Sequence, residues 1–247
     1  MMKNISLFTL LYFWLSSLQA QINPAGENFV YSLSKDGNNA AEIYLQTDKQ
    51  ISKLDQITCY KITGFAKITA ALGIINFENK ITSWIDAKSF KTCKVHAYFN
   101  DGKKKTNYIV ECNHNKRVIS AYSLENPNDK KTFSFAPNTE DAWSAFFLIR
   151  RTDFSKMRTN DLINFDMMTE ENKTQTISLK YLGKKTMKFG NTSQECYILA
   201  WAAPEIVDVK TKSIRIAITA DKEQVPAKIY VDTSKGFFTA ELKSFKK

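Results

Sequence analysis

The chain of 247 residues is poor in the residue types that carry most catalytic chemistry. It contains only two histidines, four cysteines and eight glycines. Eight glycines leave little room for a phosphate-binding loop, and neither that motif nor the Gly-x-Ser-x-Gly motif of a nucleophile elbow is present. A serine or cysteine nucleophile needs a base within reach, and only two histidines could serve. We therefore expect no catalytic residue and no cofactor, and we lean against an enzyme.

Long apolar runs are absent after the first 20 residues. There, Lys3 precedes the apolar stretch Ile5–Leu15, and the small residue Ala20 follows shortly afterwards. The stretch is shorter than the ~20 apolar residues of a membrane span and is typical of a secretory signal peptide. We expect residues 1–20 to be cleaved near Ala20. The mature protein would then be exported to the periplasm or outside the cell, and would not be an integral membrane protein.

Lysine and arginine outnumber aspartate and glutamate, 35 to 25, so the formal net charge is +10 at pH 7. A basic surface can bind a polyanionic partner. Most lysines, however, are scattered singly along predicted strands, and only Lys103–Lys105 and Lys246–Lys247 form clusters. We therefore interpret the charge as that of solvated strand faces. Export also makes nucleic acid the least expected partner.

Alternating apolar and polar residues extend over most of the chain, as is typical of β-strands. We expect residues 21–247 to form a single β-rich domain, with a division into halves 27–125 and 130–247 at the Asn126–Asp129 loop. The predicted fold class is mainly β. It is an antiparallel barrel-like or half-barrel roll of about a dozen strands with one core helix.

Two segments interrupt this alternation. Gln21–Glu27 contains proline and glycine and has no periodicity, so it is predicted to be a loose leader. Gly183 separates the predicted strands Thr174–Tyr181 and Thr186–Phe189, so we expect a turn at this glycine.

One segment has helical spacing instead. Asn138–Asp141 offers a polar N-cap and acidic residues for the first turn, and Arg150 and Arg151 suit the carboxyl end. The broad apolar face between them consists of Ala142, Trp143, Ala145, Phe146, Leu148 and Ile149. The sequence predicts one core helix at about 139–151. Its aromatic rings, Phe146 among them, are expected in the core.

The clearest hairpin has its turn at Asn100–Lys103, between the alternating segments Lys91–Phe99 and Thr106–Cys112. The pattern leaves the register open, because a slip of two residues keeps the same faces paired. In a register with a four-residue loop Cys93 faces Cys112, and with a two-residue loop it does not.

Two cysteines and both histidines lie close together, as Cys93-x-x-His96 and Cys112-x-His114. Export permits a Cys93–Cys112 disulfide, and the alternatives are buried free thiols or a zinc site. The candidate ligands are Cys93, Cys112 and His114. On a regular strand His96 points to the face opposite Cys93, so a metal is the least favoured alternative.

A carboxylate pair for glycoside hydrolysis is a further candidate. Its members would come from Asp141, Asp153, Asp166, Asp208 and Asp221. Each of these is more simply explained as a helix-capping or turn residue, and Asp221 in particular begins a predicted tight turn.

Three motifs in the second half of the chain resemble those of a known family. They are a helix with Asp-x-x-Ser and a final Arg, a glycine-containing hairpin, and a strand that ends in an Asp-bearing turn before a Pro-started strand. The matching residues are Asp141, Ser144, Arg150, Gly183, Asp221 and Pro226. The chain is therefore similar to the bacterial exported-protein family catalogued as domain of unknown function 3108. The resemblance implies an envelope location and a β-rich fold, and it implies no chemistry.

The sequence favours a non-enzymatic envelope protein. It would bind an apolar or amphipathic ligand, lipid-like or from an envelope polymer, or a protein partner, in the concavity of its curved sheet. The alternatives are a carboxylate-dependent hydrolase of envelope polymer and a purely structural spacer.

Overall fold

A computed structural model describes residues 22–68, 78–100, 104–136, 139–168, 174–189, 192–202, 211–234 and 236–247. The predicted signal peptide, residues 1–20, lies outside the described residues, and so does Asp208. Within the described part of the chain, no helix is long and apolar enough to cross a membrane.

Strands make up most of the described residues. Their bounds are β1 (Asn28–Lys35), β2 (Asn38–Thr47), β3 (Ser52–Leu54), β4 (Ile57–Ile68), β5 (Glu78–Asp86), β6 (Thr92–Asn100), β7 (Lys105–Asn113), β8 (Val118–Ser123), β9 (Lys131–Ser134), β10 (Thr139–Glu140), β11 (Leu162–Met168), β12 (Thr174–Phe189), β13 (Thr192–Trp201), β14 (Thr211–Thr219), β15 (Pro226–Thr233) and β16 (Gly236–Lys246). Between β10 and β11 lie the helix α1 (Ala142–Arg150) and a short 3-10 helix (Phe154–Lys156).

These strands form one large sheet in the order β10-β11-β12-β13-β14-β15-β16-β1-β2-β4-β5-β6-β7-β8-β9, with β3 paired to β4 at the side. Neighbours are antiparallel, except that β10 and β11 are parallel. Because β16 pairs with β1, the first and last described strands meet in the middle of the sheet. The predicted mainly β, barrel-like roll is confirmed. It has more strands than the predicted dozen because β3, β9 and β10 are too short to show alternation.

The helix α1 lies within the predicted segment 139–151, although Thr139 and Glu140 form β10 instead of its first residues. The Asp141 carboxylate accepts hydrogen bonds from the backbone N–H groups of Trp143 and Ser144, both at 2.9 Å. In return, the Ser144 hydroxyl accepts a hydrogen bond from the Asp141 N–H at 2.8 Å. This reciprocal capping box satisfies donors that a helix start would otherwise leave unpaired.

We call the face of the sheet that contacts α1 the inner face. Side chains of Leu179, Leu199 and Ile218 form one buried cluster with Ala145 and Ile149 of the helix. A second inner-face cluster contains Tyr60, Ile62, Ile85, Phe90 and Phe147. Since successive strand residues alternate, their neighbours point to the outer face.

The aromatic residue of α1 that is buried most deeply is Phe147, which is 1% exposed. Phe146, which was expected in the core, is only half-buried. Its ring lies edge-on to Phe29, with centroids 5.9 Å apart, at the border of a third cluster. The apolar face predicted from the sequence included Phe146 but not Phe147, so the structure corrects which of the two rings is central to the core.

The leading segment is not loose, which corrects the interpretation of Gln21–Glu27. Ile22 is 5% exposed and Glu27 is fully buried. Gly26 has a φ of +79°, and its N–H donates to Asp48 O at 3.3 Å. The segment is held because the Glu27 carboxylate has a buried partner on α1, which periodicity cannot reveal.

Gly183 lies inside β12, and not in the turn that was expected. The register between β12 and β13 shifts between Tyr181 and Lys184, so that Leu182 and Gly183 lie opposite the single residue Ile198. This is a β-bulge, and its glycine has a φ of +92°. A bulge and a turn both favour glycine, which explains why the sequence did not distinguish them.

The β6–β7 hairpin has the register with a four-residue loop, since Asn100 pairs with Lys105. A second bulge, however, lies on the other side of β6. Trp84 pairs with Lys94, but Ile85 pairs with Thr92, so Cys93 is the extra residue.

Candidate functional site

The candidate site is a cavity of about 440 Å³ on the outer face of strands β12 to β16. Its lining residues are Lys185, Met187, Ile198, Ser213, Arg215, Ile216, Ala217, Tyr230, Asp232 and Phe237. The cavity therefore lies behind the part of the sheet that carries α1, and not in the concavity that the sequence favoured.

The floor of the cavity is apolar, and strand pairing in the sheet sets the positions of its residues. Ile198 and Ala217 are paired residues of β13 and β14, and both are buried. With Cys196 they form a small outer-face cluster, against which Met187 packs. The bulge at Gly183 lies directly opposite Ile198 and brings the second half of β12 into this register.

One wall of the cavity is aromatic. Tyr230 of β15 and Phe237 of β16 have ring centroids 5.8 Å apart, and Phe237 is 41% exposed. A partly exposed ring beside an apolar floor offers contact area to a ligand at little conformational cost.

The rim carries two exposed cations and one acid. Arg215 is cross-strand neighbour to Tyr230, and Ser213 is neighbour to Asp232. Within the described residues, no ion pair or side-chain hydrogen bond involves Lys185, Arg215 or Asp232. By contrast, nearby Lys228 is paired with Glu241. The arrangement can bind an apolar group on the floor and an anionic group at the rim.

The sequence did not single out these residues. They lie on five strands between residues 185 and 237, and only the register brings them together. The signal that was available is that Arg215 stands on a predicted strand in a chain whose basic residues are mostly lysine.

Except for Gly183, the residues that matched the family motifs lie elsewhere, at α1 and around the β14–β15 turn. Arg150 donates from Nη1 and Nη2 to both carboxylate oxygens of Glu27, at 2.7 and 2.8 Å. Both side chains are completely buried. Arg150 also donates to Glu223 O at 3.1 Å, and its guanidinium lies over the rings of Phe29 and Phe146. This pair fastens the end of α1 to the start of β1 and to the β14–β15 turn.

Asp221 and Pro226 belong to that same turn. The Asp221 carboxylate accepts hydrogen bonds from the Thr219 hydroxyl at 2.9 Å and from the N–H of Glu223 at 3.0 Å. Pro226 O accepts a hydrogen bond from the Tyr31 hydroxyl at 2.8 Å. Asp141 and Ser144 thus cap α1, Asp221 holds its own turn, and Arg150 and Pro226 join separate elements.

The cysteine and histidine candidates are not brought together. The bulge turns Cys93 towards the outer face, where its thiol hydrogen-bonds with that of Cys59. Cys112 follows the inner-face alternation, and His114 Nε2 donates to Thr92 O at 2.7 Å. In the part of the chain that the structure describes, no three His, Cys, Asp or Glu side chains are grouped to hold a metal. The Cys93–Cys112 bridge stays a prediction.

The candidate carboxylates that the structure describes accept hydrogen bonds from residues close to them in the fold. Asp141 caps α1, Asp221 holds its turn, and Asp153 accepts from Ser155 Oγ at 2.6 Å. That hydrogen bond, followed by the contact with Lys156, lowers the pKa of the Asp153 carboxyl. Asp166 accepts from Thr176 Oγ1 at 2.7 Å.

The inner face also has an apolar region away from α1. Phe99 and Tyr108 are 38% and 43% exposed, and their strand positions place them on the inner face with Ala97. This region corresponds to the concavity that the sequence favoured, and it is a second candidate location for a ligand.

Comparisons with known proteins agree with the fold and add no chemistry. No curated protein is similar to the chain. One solved structure that is similar is the crystal structure of a β-barrel-like protein of the domain of unknown function DUF1849 from Brucella abortus. The identity is 5%, the TM-score is 0.56, and the match covers 91% of this chain and 98% of the other. A family model described as "Protein of unknown function (DUF3108)" matches residues 30–243, and the chain belongs to that family.

Proposed function

We propose that this protein is an exported, non-enzymatic binding protein of the cell envelope, and that it holds an amphipathic ligand in the outer-face cavity. The export part rests on the predicted signal peptide, residues 1–20. The binding part rests on one observation: a single cavity combines an apolar floor with cations at the rim that have no ion pair among the described residues.

The size of the cavity suits a small ligand. About 440 Å³ lies within the ~300–1,000 Å³ that is typical of sites for small molecules. Ile198, Ala217 and Met187 would contact an acyl chain or a similar apolar group, and Phe237 would cover it. Such contacts contribute roughly 25 cal/mol per Å² of buried apolar surface, before the costs of binding are subtracted.

The charges favour an anionic ligand over a neutral one. Two cations, Lys185 and Arg215, face one acid, Asp232, at the rim. A guanidinium can hold a carboxylate or phosphate with two parallel hydrogen bonds, which a lysine cannot do. The ligand class that fits is therefore an amphipath with a carboxylate or phosphate headgroup.

The test uses the mature protein, purified after export, and a fluorescent naphthalene sulfonate as probe. We expect dodecanoate to displace the probe and 1-dodecanol to displace it more weakly. Arg215→Gln should weaken dodecanoate binding about fivefold, which corresponds to ~1 kcal/mol for one solvent-exposed charged contact. Lys131→Gln, which removes an exposed lysine of β9 on the far part of the sheet, is the matched control and should change nothing.

Two outcomes would contradict this assignment. If Arg215→Gln and the cavity-filling Ser213→Trp leave binding unchanged while Tyr108→Ala weakens it, the ligand lies on the inner face, as the sequence alone favoured. If neither dodecanoate nor the probe binds, the ligand class is wrong. Release of soluble fragments from purified envelope polymer by the protein would instead favour the alternative of a carboxylate-dependent hydrolase.

A further inference from the structure

Cys59 and Cys93 are the two cysteine side chains that the fold brings into contact. Cys59 pairs with Asp86 across β4 and β5 and points to the outer face, because its neighbour Tyr60 belongs to an inner-face cluster. Cys93 is the extra residue of the bulge in β6, and it lies beside the other edge of β5. The two thiols therefore lie on either side of the end of β5, on the same face of the sheet.

Their hydrogen bonds agree with this placement. The two thiols hydrogen-bond to each other. Each sulfur also lies near the carbonyl two residues earlier in the chain. The distance is 3.7 Å from Cys59 to Ile57 O and 3.8 Å from Cys93 to Lys91 O. Neither sulfur has a competing charged partner at hydrogen-bond distance among the described residues.

We propose that Cys59 and Cys93 form a disulfide in the exported protein, which ties β4 to β6 across the end of β5. The bond would replace a thiol–thiol hydrogen bond by a covalent S–S bond of about 2.05 Å. It would close a loop of the chain from residue 59 to residue 93, which includes most of β4 and all of β5. Cys112 and Cys196 would remain thiols, because each lies in a different region of the fold.

The chemistry balances with a disulfide donor of the export compartment as oxidant. A thiolate of one cysteine attacks the donor disulfide, which gives a mixed disulfide and releases one donor thiol. The second cysteine, as its thiolate, attacks the mixed disulfide and releases the second donor thiol. The protein loses two protons and two electrons in total, and the donor leaves as a dithiol.

The bond is expected to form while the chain folds. Cys59 is completely buried and Cys93 is 6% exposed in the folded protein. Burial, followed by the neighbouring Cys59, raises the pKa of Cys93 to about 12, and burial also raises the pKa of Cys59. The folded thiols are therefore protonated at neutral pH and shielded from a donor.

Peptide mapping distinguishes all pairings, since trypsin places each cysteine on its own peptide. Cys59 lies on peptide 54–61, Cys93 on 92–94, Cys112 on 106–116 and Cys196 on 189–210. Protein exported to an oxidising compartment is alkylated at low pH under denaturing conditions and digested without reductant. We expect 54–61 linked to 92–94, with the alkyl label on the other two cysteines.

The matched variants sharpen the result. Cys112→Ser and Cys196→Ala should keep the linked peptide, whereas Cys93→Ala should leave Cys59 alkylated. Reductant should lower the melting temperature of the unmodified protein by about 5–10 °C and leave that of Cys59→Ala/Cys93→Ala unchanged. A peptide that links Cys93 to Cys112, or four alkylated thiols in the exported protein, would overturn the proposal. The first of these results would instead confirm the disulfide that the sequence offered as one alternative.

Discussion

Two arginines on opposite faces of the same part of the sheet show how differently the two faces are built. Arg150, on the inner side, is completely buried, and Glu27 and Glu223 O accept its hydrogen bonds. Arg215, on the outer side, is exposed at the rim of a cavity and has no ion pair among the described residues. Burial without a partner is too costly to persist, so the inner arginine is committed to structure. The outer arginine is available for a ligand.

The largest effect on stability is expected from breaking the ion pair between Arg150 and Glu27. Arg150→Met leaves the Glu27 carboxylate buried without its partner, so the free energy of unfolding should fall by about 3–5 kcal/mol in urea titrations. The double variant Glu27→Gln/Arg150→Met removes the buried charge as well and should lose less than Arg150→Met alone. If Arg150→Met lowered the free energy of unfolding by less than about 1 kcal/mol, the Glu27 carboxylate would have to be hydrated in the variant.

A similar loss is expected from the ring of α1 that is buried most deeply. Phe147 is 1% exposed and contacts Phe90, with ring centroids 5.4 Å apart. Phe147→Ala should cost about 3–5 kcal/mol of unfolding free energy, and Phe146→Ala should cost clearly less because that ring is half-buried. The same urea titrations check the order. Equal losses would mean that the border position of Phe146 is unimportant.

The sequence predicted α1 well because every local signal agreed: cap, apolar face and terminal arginines. It predicted the strands and the class of fold for the same reason. It did not predict the partner of Arg150, because Glu27 is 123 residues away and lies in a segment without periodicity. Bulges also escaped prediction. One extra residue at Cys93 changes which face the sulfur takes, and alternation alone cannot show where that residue lies.

The sequence could not predict the candidate cavity, for a related reason. Its residues come from five strands, and their alternation was visible. Which residues become neighbours depends on register, which here includes the bulge at Gly183 and a shift between Ala217 and Ile218. The family resemblance was correct, but its motif residues cap α1, form turns and a bulge, or join separate elements. Residues that hold a fold together leave as clear a sequence pattern as residues that bind.

An intermediate effect is expected at high pH, again on the inner side. Burial raises the pKa of Tyr31, whose hydroxyl donates to Pro226 O. Below about pH 10 both states keep the proton; above it the unfolded chain ionises while the folded chain keeps its proton. Stability should therefore fall as the pH rises above about 10, by up to ~1.4 kcal/mol per pH unit for this group. Urea titrations from pH 9 to 12 should show a shallower fall for Tyr31→Phe, and an unchanged slope would contradict the assignment.

A smaller effect is expected at the start of α1. Asp141→Ala removes the acceptor for the N–H groups of Trp143 and Ser144, so the free energy of unfolding should fall by about 0.5–2 kcal/mol. Asp141→Asn keeps an acceptor oxygen and should lose only part of this. If both variants were as stable as the unmodified protein, the cap would be dispensable because tertiary contacts already hold the helix.

The smallest effect on stability is expected from Arg215, and it decides the comparison between the two faces. Arg215→Gln leaves no buried charge and breaks no hydrogen bond of the described residues, so the free energy of unfolding should change by less than about 0.5 kcal/mol. The same variant should weaken dodecanoate binding about fivefold. Stability is measured in urea and binding by displacement of the fluorescent probe, on one preparation. A stability loss as large as that of Arg150→Met would show that Arg215 also holds the fold together, and the contrast between an inner face made for structure and an outer face made for a ligand would then fail.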